Sequence, residues 1–384
     1  MTSRLSDTGP GVGYNGVMDV RPLCVVVLAA GEGTRMRSSR PKPVHVLCGR
    51  PMVAHVLDAL ADLTVSRVVV VIGHGAERVT KQVLAQAPPG LEVEFVEQRV
   101  QRGTGDAVSV GLTGLSDTDD DADVLILPGD APLLRPATLA ALVDLHRRTE
   151  AAGAVLTSVV DDPSGYGRVV RGRDDRVVAI VEQADASDDQ LAIREINTSV
   201  YCFRRNLLAP ALRRLSPENA QGEYYLSDLP AVLAGAGHPV VSLVAADPLE
   251  TVGVNDRAQL AVAEAVLRAR TNDSWMRRGV TMVDPSRTYV DLTVALGTDV
   301  TLFPGTILRG TTVIGAGAEI GPDTHLVDTE VGERSVVEHT VARQAVIGAD
   351  ARVGPFATLQ PGAMVPDGTV TGPFHLAAGL PPGG

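Results

Sequence analysis

Residues 302–320 read LFPGTILRGTTVIGAGAEI, with a branched apolar residue at every sixth position. The same period returns between residues 347 and 365, and valines that step by five join the two series. The six-residue series contains Leu302, Leu308, Ile314, Ile320, Leu326, Ile347, Val353, Leu359 and Val365, and the link contains Val331, Val336 and Val341. In a parallel β-helix, each coil stacks such a residue on its equivalents above and below. This is the strongest fold signal in the chain, and it predicts a short left-handed parallel β-helix over residues 280–374; ordinary antiparallel strands are the alternative.

Upstream of this repeat, short apolar segments alternate with longer amphipathic ones. Such alternation is typical of a mostly parallel sheet with helices on both faces, so residues 21–275 are expected to form a doubly wound, Rossmann-like α/β domain. The predicted strands are residues 23–29, 67–72, 93–97 and 124–127, with a hairpin at 168–170 and 177–181. The predicted helices are residues 52–63, 76–86, 136–150, 226–236 and 256–270.

Composition and charge narrow the function classes. The 384-residue chain has a formal net charge of −12 and only 3% aromatic residues. A strongly acidic surface repels a polyanion, and few aromatic side chains are available to stack on bases, so a nucleic-acid partner is not expected. The apolar run at residues 23–30 is too short to span a bilayer, so no membrane partner is expected and a cytoplasmic location follows. Any anionic ligand must be held by local cations and backbone amides.

The two ends of the chain and its cysteines carry further expectations. Residues 1–20 lack hydrophobic periodicity and are interpreted as a disordered extension, with Met18 as a possible true start. Residues 375–384 are rich in Ala, Pro and Gly and are interpreted as a disordered tail. Three widely spaced cysteines, Cys24, Cys48 and Cys202, fit neither a disulfide framework nor a metal site and are expected to be buried thiols.

A glycine-rich loop directly follows the first predicted strand. The segment LAAGEGTRM, residues 28–36, places Gly31 and Gly33 where backbone amides can approach phosphate oxygens, and Thr34 can add a hydroxyl donor. Arg35 and Lys42 bracket the loop with the positive charge that a phosphoryl-transfer site needs. Because ligands bind at the carboxyl edge of open α/β sheets, the sequence predicts a phosphate site there.

Two further segments carry polar or turn residues after predicted strands. Asp130 follows the strand at residues 124–127, and its carboxylate suits a hard divalent cation such as Mg²⁺; a helix-capping role is the alternative. The GTG turn at residues 103–105 follows another strand and, from its spacing alone, favours the start of a helix.

The motif LAAGxGTRM, followed by PK at residues 41–42 and GxPM at residues 49–52, resembles the sugar nucleotidylyltransferase superfamily. Within it, the chain is most similar to the bifunctional N-acetylglucosamine-1-phosphate uridylyltransferase/glucosamine-1-phosphate acetyltransferase family, over about residues 23–374. The resemblance implies that the α/β domain is a nucleotidyltransferase. The implied partners are UTP and N-acetylglucosamine-1-phosphate, whose phosphate oxygen attacks the α-phosphorus of UTP in line and releases pyrophosphate.

The resemblance also implies roles for individual residues. It makes Arg35, Lys42 and Asp130 catalytic, and it pairs Asp130 with Asn255 as ligands of Mg²⁺. Uracil is expected to meet Gln98, Gly103 and Thr104, and the sugar to meet Gly167, Glu182 and Asn197. The other implied nucleotide- and sugar-binding positions are Leu28, Ala29, Ala30, Gly31, Gly33, Thr34 and Gly129. Taken singly, each sugar-pocket residue is also explained as a polar residue at the end of a strand.

The chain departs from this family in its second half. Gln360 stands where relatives carry an arginine, Ala378 falls roughly where a substrate-binding lysine is expected, and the segment with the catalytic histidine is missing from this sequence. No acetyl transfer is therefore expected. The shortened β-helix is expected to serve assembly, with a homotrimer as the possible form.

Two other functions stay open at this point. One is nucleotidyl transfer to another sugar phosphate or from another nucleoside triphosphate, because Pro128 stands where many relatives carry Tyr or Ser. The other, of a different class, is a catalytically silent scaffold that binds a sugar nucleotide. Retention of Arg35, Lys42, Asp130 and Asn255 together argues against a silent scaffold.

Overall fold

The computed structural model describes residues 21–116, 120–172 and 174–378. Its first part alternates strands with helices. The strands are β1 (Leu23–Ala29), β2 (Val46–Leu47), β3 (Arg50–Pro51), β4 (Arg67–Ile72), β5 (Val93–Glu97), β6 (Asp123–Pro128), β7 (Gly153–Val159), β8 (Arg168–Arg171), β9 (Val177–Val181), β10 (Glu195–Arg204) and β11 (Val240–Val244). The helices are α1 (Met52–Asp58), α2 (Ala76–Gln86), α3 (Thr104–Leu112), α4 (Pro136–Thr149), α5 (Asp188–Leu191), α6 (Arg205–Leu212), α7 (Leu229–Gly235) and α8 (Arg257–Arg277).

A twisted, mostly parallel sheet organises these elements in the order β11-β7-β10-β6-β1-β4-β5, with the β8–β9 hairpin attached to β10. Strand β1 pairs in parallel with both β4 and β6, whereas β10 runs antiparallel to β6 and β7. The predicted Rossmann-like fold is confirmed. The antiparallel β10 and the strands β7 and β11 are additions to the predicted strand set.

Alternating side chains of β1 pack on opposite faces of the sheet, which explains why helices cover both. Val25 and Val27 join a core with α1, α2 and α4, whereas Cys24 and Val26 join a core with α3, α6 and α7. Each of these four side chains has no exposed surface. Cys24, Cys48 and Cys202 are all buried, as predicted.

Three predicted helices have ends that differ from the structure by more than one residue. The helix predicted at residues 52–63 ends at Asp58, and the one predicted at 226–236 begins as a 3-10 turn before α7. The helix predicted to end at residue 270 continues to Arg277 because its polar last turn is held by tertiary contacts. Asn272 donates to the carbonyls of Pro285 and Thr288, both at 2.9 Å, and Trp275 packs against the β-helix core. The division predicted at residues 275–280 stays a prediction.

The second part of the chain is the β-helix. Its strands are β12 (Thr281–Met282), β13 (Tyr289–Val290), β14 (Ala295–Leu296), β15 (Thr301–Leu302), β16 (Ile307–Arg309), β17 (Val313–Ile314), β18 (Glu319–Ile320), β19 (His325–Val327), β20 (Glu330–Val331), β21 (Val336–Val337), β22 (Val341–Arg343), β23 (Val346–Ile347), β24 (Arg352–Val353), β25 (Thr358–Leu359), β26 (Met364–Val365) and β27 (Leu376–Ala377). As far as β26 every third strand joins the same sheet, which gives three parallel sheets around one apolar core, and β27 then pairs with β25. The predicted left-handed parallel β-helix is confirmed.

The register predicted for the five-residue link is wrong at two positions. Val337 and Ala342 point into the core and have no exposed surface, whereas Val341 is 41% exposed and Val336 is only half-buried. The coil from His325 to its partner Val341 has 16 residues, so two of its corners are short. The sequence pattern does not reveal which corners, because adjacent Val336 and Val337 fit either register and Val341 is larger and more apolar than Ala342.

The β-helix also extends beyond the predicted start of the tail. Leu376–Ala377 pairs in parallel with Thr358–Leu359, so ordered pairing continues past residue 375. Residues 379–384 and the extension predicted at residues 1–20 lie outside the described residues. In the described part of the chain, no helix has both the length and the apolar character needed to cross a membrane.

The corrected register predicts an asymmetry between neighbouring positions. Ala342→Leu inserts extra carbons into a closed core and is expected to destabilise the protein by about 1–3 kcal/mol, whereas Val341→Leu on the outer face is expected to change stability by less than about 0.5 kcal/mol. Chemical denaturation of the two variants measures the difference. Equal destabilisation by both would contradict the corrected register.

Candidate active site

A cleft opens at the carboxyl ends of β1 and β6. It is lined by predicted site residues, namely Leu28, Ala29, Ala30, Gly31, Gly33, Thr34, Arg35, Lys42, Gln98, Gly103, Thr104, Gly129, Asp130, Glu182, Asn197 and Asn255. Gly167 is the predicted residue that does not line the cleft. It lies directly behind the lining, since its carbonyl accepts from Asn197 N at 2.9 Å and a Cβ there would be 3.3 Å from Glu182 Oε1.

Two glycines let the loops around the cleft approach one another. Gly33 has a φ of +64°, and a Cβ at this position would lie 2.6 Å from Lys42 Cβ. Gly129 donates its N–H to the carbonyl of Leu28 at 2.9 Å, and a Cβ there would lie 2.9 Å from the same oxygen. The first contact packs the Lys42 turn against the glycine loop, and the second holds the end of β6 next to the end of β1, so the polar side chains that follow both strands share one space.

Cations and oxygen atoms converge at the centre of the cleft. Lys42 Nζ forms a salt bridge with Asp130 Oδ2 and donates to Asn255 Oδ1 at 2.8 Å. Arg35 Nη2 donates to the same Asn255 Oδ1 at 2.9 Å. The side chains of Lys42 and Asp130 are 13% and 25% exposed, so the pair is shielded from bulk water but reachable by a ligand.

The start of α8 places Asn255 beside Asp130. Val254 N donates to the carbonyl of Asp130 at 2.9 Å, and Asn255 N donates to Gln259 Oε1 at 2.7 Å. Asp256 caps the helix by accepting from Gln259 N at 2.8 Å. Residues that are more than 120 positions apart in the chain therefore meet at one point through a helix start.

Arg257, the first residue of α8, connects this helix to the loops that carry the two cations. Its Nε donates to the carbonyl of Met36 at 3.2 Å, and its Nη1 lies 3.3 Å from His45 Nδ1. Burial, with the charges of Arg257 and Arg40, lowers the pKa of His45. A neutral imidazole accepts from the guanidinium, so Arg257 holds the segments next to Arg35 and Lys42 in place.

The oxygen atoms of Asp130 and Asn255 fit a hard divalent cation. Carboxylate and amide oxygens are suitable ligands, and the two side chains already converge on one cation, the Lys42 ammonium. The described residues contain no cluster of three or more His, Cys, Asp or Glu side chains that could hold a metal. A cation here would therefore take its remaining ligands from water and a phosphate-bearing ligand, as Mg²⁺ commonly does.

One wall of the cleft is formed by Gln98 and the turn before α3. Gln98 is 5% exposed, and its Nε2 donates to Asp106 Oδ2 at 2.8 Å and to the carbonyl of Gly103 at 3.3 Å. Gly103 has a φ of +107°, and α3 begins at Thr104, whose Oγ1 accepts from Leu226 N at 3.0 Å. The turn is thus both a helix start, as its spacing favoured, and part of the cleft.

The opposite wall is acidic and polar. Glu182 Oε1 accepts from Ser227 Oγ at 2.7 Å, and Asn197 is 6% exposed. Burial raises the pKa of Asp228, and the nearby charges of Glu182 and Asp185 raise it further. The cleft therefore has a cationic end, suited to phosphates, and an acidic wall, suited to hydroxyl and amide donors.

Several lining residues were not predicted as site residues. They are Pro43, Gln101, Ala107, Pro128, Ser199, Tyr201, Glu223, Leu226 and Ser227. Ser199 reaches the cleft because the pairing of β10 with β7 shifts between Asn197 and Val200, where Ser199 takes a φ of +60°. A β-bulge of this kind leaves no clear signal in one sequence. Gln101, by contrast, lies in the polar segment after β5, a signal that could have been used.

The Gly33 geometry predicts a stability difference between the two loop glycines. Gly33→Ala combines left-handed backbone with a clash against Lys42 and is expected to cost about 1–3 kcal/mol. Gly31→Ala is the matched control, because a Cβ there meets nothing within 4 Å, and its effect is expected to stay within about 0.5 kcal/mol. Thermal unfolding of the ligand-free proteins measures both. Similar losses in both variants would contradict the proposed reason for glycine at position 33.

Comparison with known proteins places the chain in a family. The model of the MobA-like NTP transferase domain family matches residues 25–241. The Bifunctional protein GlmU of Thermobifida fusca is 49% identical over 330 residues, which are 85% of this chain and 68% of that protein. The Bifunctional protein GlmU of Streptomyces avermitilis is 48% identical over 344 residues, which are 89% of this chain and 70% of that protein. The Bifunctional protein GlmU of Heliobacterium modesticaldum is 45% identical over 349 residues, which are 91% of this chain and 74% of that protein. The chain belongs to the GlmU family of nucleotidyltransferases.

Proposed function

We propose that this chain transfers the uridylyl group of UTP to N-acetylglucosamine-1-phosphate, forming UDP-N-acetylglucosamine and pyrophosphate. The observation that carries the proposal is the convergence of Arg35, Lys42, Asp130 and Asn255 beside a glycine loop, in a member of the GlmU family. A site with both cations and both oxygen ligands has the parts that phosphoryl transfer needs. A catalytically silent scaffold that only bound a sugar nucleotide would not need both cations and both oxygen ligands.

In the proposed reaction, an oxygen of the sugar phosphate attacks the α-phosphorus of UTP and pyrophosphate leaves from the opposite side. The second pKa of a phosphate monoester is about 6, so the nucleophile is already largely ionised near neutral pH and needs no side-chain base. During this displacement, Arg35 and Lys42 stabilise the negative charge that develops on the departing pyrophosphate. The partly enclosed cleft strengthens that interaction because it limits screening by water.

Asp130 and Asn255 are proposed to hold Mg²⁺. Bound there, the cation would offset charge on the nucleotide phosphates. The segment 253–255 and the end of β6 set the spacing of the two side chains, through the hydrogen bond from Val254 N to the Asp130 carbonyl. Their preset position reduces the conformational entropy that is lost when the cation binds.

Base choice is proposed to depend on Gln98. Its Nε2 hydrogens are engaged by Asp106 and by the carbonyl of Gly103, which leaves Oε1 as an acceptor. Uracil presents a donor at N3, whereas cytosine presents an acceptor at the same position. Gly103 and Thr104 are proposed to complete this side of the site through the turn before α3.

The acidic wall is proposed to bind the sugar. Glu182 and Asn197 supply acceptors and an amide for hydroxyl and N-acetyl groups, and Gly167 supports both from behind. Acetyl transfer is not part of the proposal, because Gln360 is a neutral, exposed side chain where the family resemblance places an arginine.

A substrate panel with pyrophosphate detection tests this function. UTP with N-acetylglucosamine-1-phosphate and Mg²⁺ is expected to give the highest kcat/KM, and CTP is expected to be at least about tenfold poorer because two acceptors would face each other at Gln98. Asp130→Ala is expected to lower kcat/KM at least about 100-fold. Asp144→Ala removes an exposed carboxylate on α4 as the matched control and is expected to retain activity.

Three outcomes of the panel would contradict the proposal. They are absence of pyrophosphate release with every sugar phosphate, full activity in Asp130→Ala, or a clear preference for another nucleotide or sugar. The last outcome would favour the alternative within nucleotidyltransferases, and the first would favour the silent scaffold.

We also propose that the chain acts in the cytoplasm as a homotrimer assembled through the β-helix. Support comes from the outer face of one β-helix sheet, where Val313 and Val346 are 44% and 39% exposed. Light scattering is expected to give three times the chain mass. A monomer mass at micromolar concentration would contradict this assembly.

A further inference from the structure

The Lys42 ammonium lies where the proposed function needs a metal ion. Nζ contacts Asp130 Oδ2 and Asn255 Oδ1, the two oxygens assigned to Mg²⁺. Arg35 Nη2 contacts the same Asn255 oxygen at 2.9 Å. An amide oxygen has two acceptor sites, and both are used here. A cation can therefore bind this oxygen only after one of the two donors has left.

Lys42 is the donor that has to leave. It holds both oxygens, whereas Arg35 touches only Asn255. Two cations on the same pair of oxygens would also repel each other across a partly enclosed space. Departure of Arg35 alone would leave the ammonium on Asp130 and on Asn255.

The local backbone lets the Lys42 side chain move while its base stays fixed. Pro41 and Pro43 flank Lys42 and restrict the backbone, and Lys42–Val44 forms a short 3-10 turn. The Cβ of Lys42 packs against Gly33, so the stem is anchored beside the glycine loop. A lysine has a flexible stem and three rotatable donor hydrogens, so Nζ can exchange carboxylate and amide oxygens for phosphate oxygens.

We propose that Lys42 is a placeholder: its ammonium occupies the cation site in the nucleotide-free protein and transfers to the nucleotide phosphates when cation and nucleotide bind together. The proposal rests on the proposed function, which assigns the metal to Asp130 and Asn255. In the nucleotide-free protein, the Lys42 ammonium neutralises the negative charge of Asp130. It also weakens metal binding without nucleotide, because the competent form is only a fraction of the protein and the apparent Kd rises by the inverse of that fraction.

Binding of Mn²⁺ to the nucleotide-free protein tests the placeholder without any turnover. Water proton relaxation reports bound Mn²⁺ in the wild type, Lys42→Met, and the double variant Lys42→Met/Asp130→Ala. Lys42→Met is expected to bind Mn²⁺ at least about tenfold more tightly than the wild type, which corresponds to an ammonium on the site in about 90% of molecules. The double variant is expected to lose this gain.

A matched control separates site competition from general charge. Arg40→Met removes one positive charge from an exposed side chain two positions before Lys42, and it is expected to leave Mn²⁺ affinity within about twofold of wild type. Thermal unfolding checks that each variant is folded. Lys42→Ala replaces Lys42→Met if the methionine variant does not fold.

A second arm adds saturating UTP. In the wild type UTP draws Lys42 away, so it is expected to tighten Mn²⁺ binding by a larger factor than it does in Lys42→Met. Equal Mn²⁺ affinity of wild type and Lys42→Met without nucleotide would overturn the placeholder, as would an equal gain in Arg40→Met. Either of these results rules out only the placeholder if Mn²⁺ still binds in the presence of UTP and Asp130→Ala abolishes that binding. The proposed metal site would then stand. If Mn²⁺ binding did not depend on Asp130 either without or with UTP, both the placeholder and the proposed metal site would be overturned.

Discussion

The contact of the Lys42 ammonium with Asp130 and Asn255 is the interaction on which the site depends. It joins the turn after the glycine loop, the carboxyl end of β6 and the start of α8, three segments that are far apart in the chain. The charges of Lys42 and Asp130 balance each other in a cleft that limits the access of water. Gly33 lets the Lys42 turn pack against the glycine loop, and Gly129 lets the end of β6 approach the end of β1, because a Cβ at these positions would lie 2.6 and 2.9 Å from the nearest neighbouring atom.

Helix α8 extends this constraint to the rest of the molecule. Its first turn positions Asn255 at the cleft and Arg257 against the loops that carry Arg35 and Lys42, and its last turn places Trp275 against the β-helix core. A helix of 21 residues spans about 30 Å, so one element connects the carboxyl edge of the sheet to the first coils of the β-helix. The turn between β2 and β3 adds a second link between the α/β part and the β-helix, since Leu292 N donates to the carbonyl of Cys48 in this turn at 3.0 Å.

The sequence predicted what depends on local periodicity and missed what depends on tertiary contacts. The strands Leu23–Ala29 and Arg67–Ile72 were predicted with their observed ends because buried parallel strands read as nearly uninterrupted apolar runs. The edge strand Val93–Glu97 was also predicted with its observed ends, from apolar residues that alternate with glutamates. The register at Val336 and Val341 was wrong, since the five-residue steps could be placed at different corners. Ser199 was missed because a bulge brings it to the cleft, and the grouping of Arg35 with Asn255 was implied only by family resemblance.

In the proposed reaction a sugar phosphate oxygen attacks the nucleotide at this cluster, and an oxygen-18 label follows that oxygen directly. N-acetylglucosamine-1-phosphate labelled at all phosphate oxygens is incubated with UTP, Mg²⁺ and the protein, and the products are resolved by phosphorus NMR and mass spectrometry. The oxygen that bridges the two phosphorus atoms of the product is expected to carry the label, and pyrophosphate is expected to carry none. Label in pyrophosphate, or an unlabelled bridge, would contradict attack by the sugar phosphate.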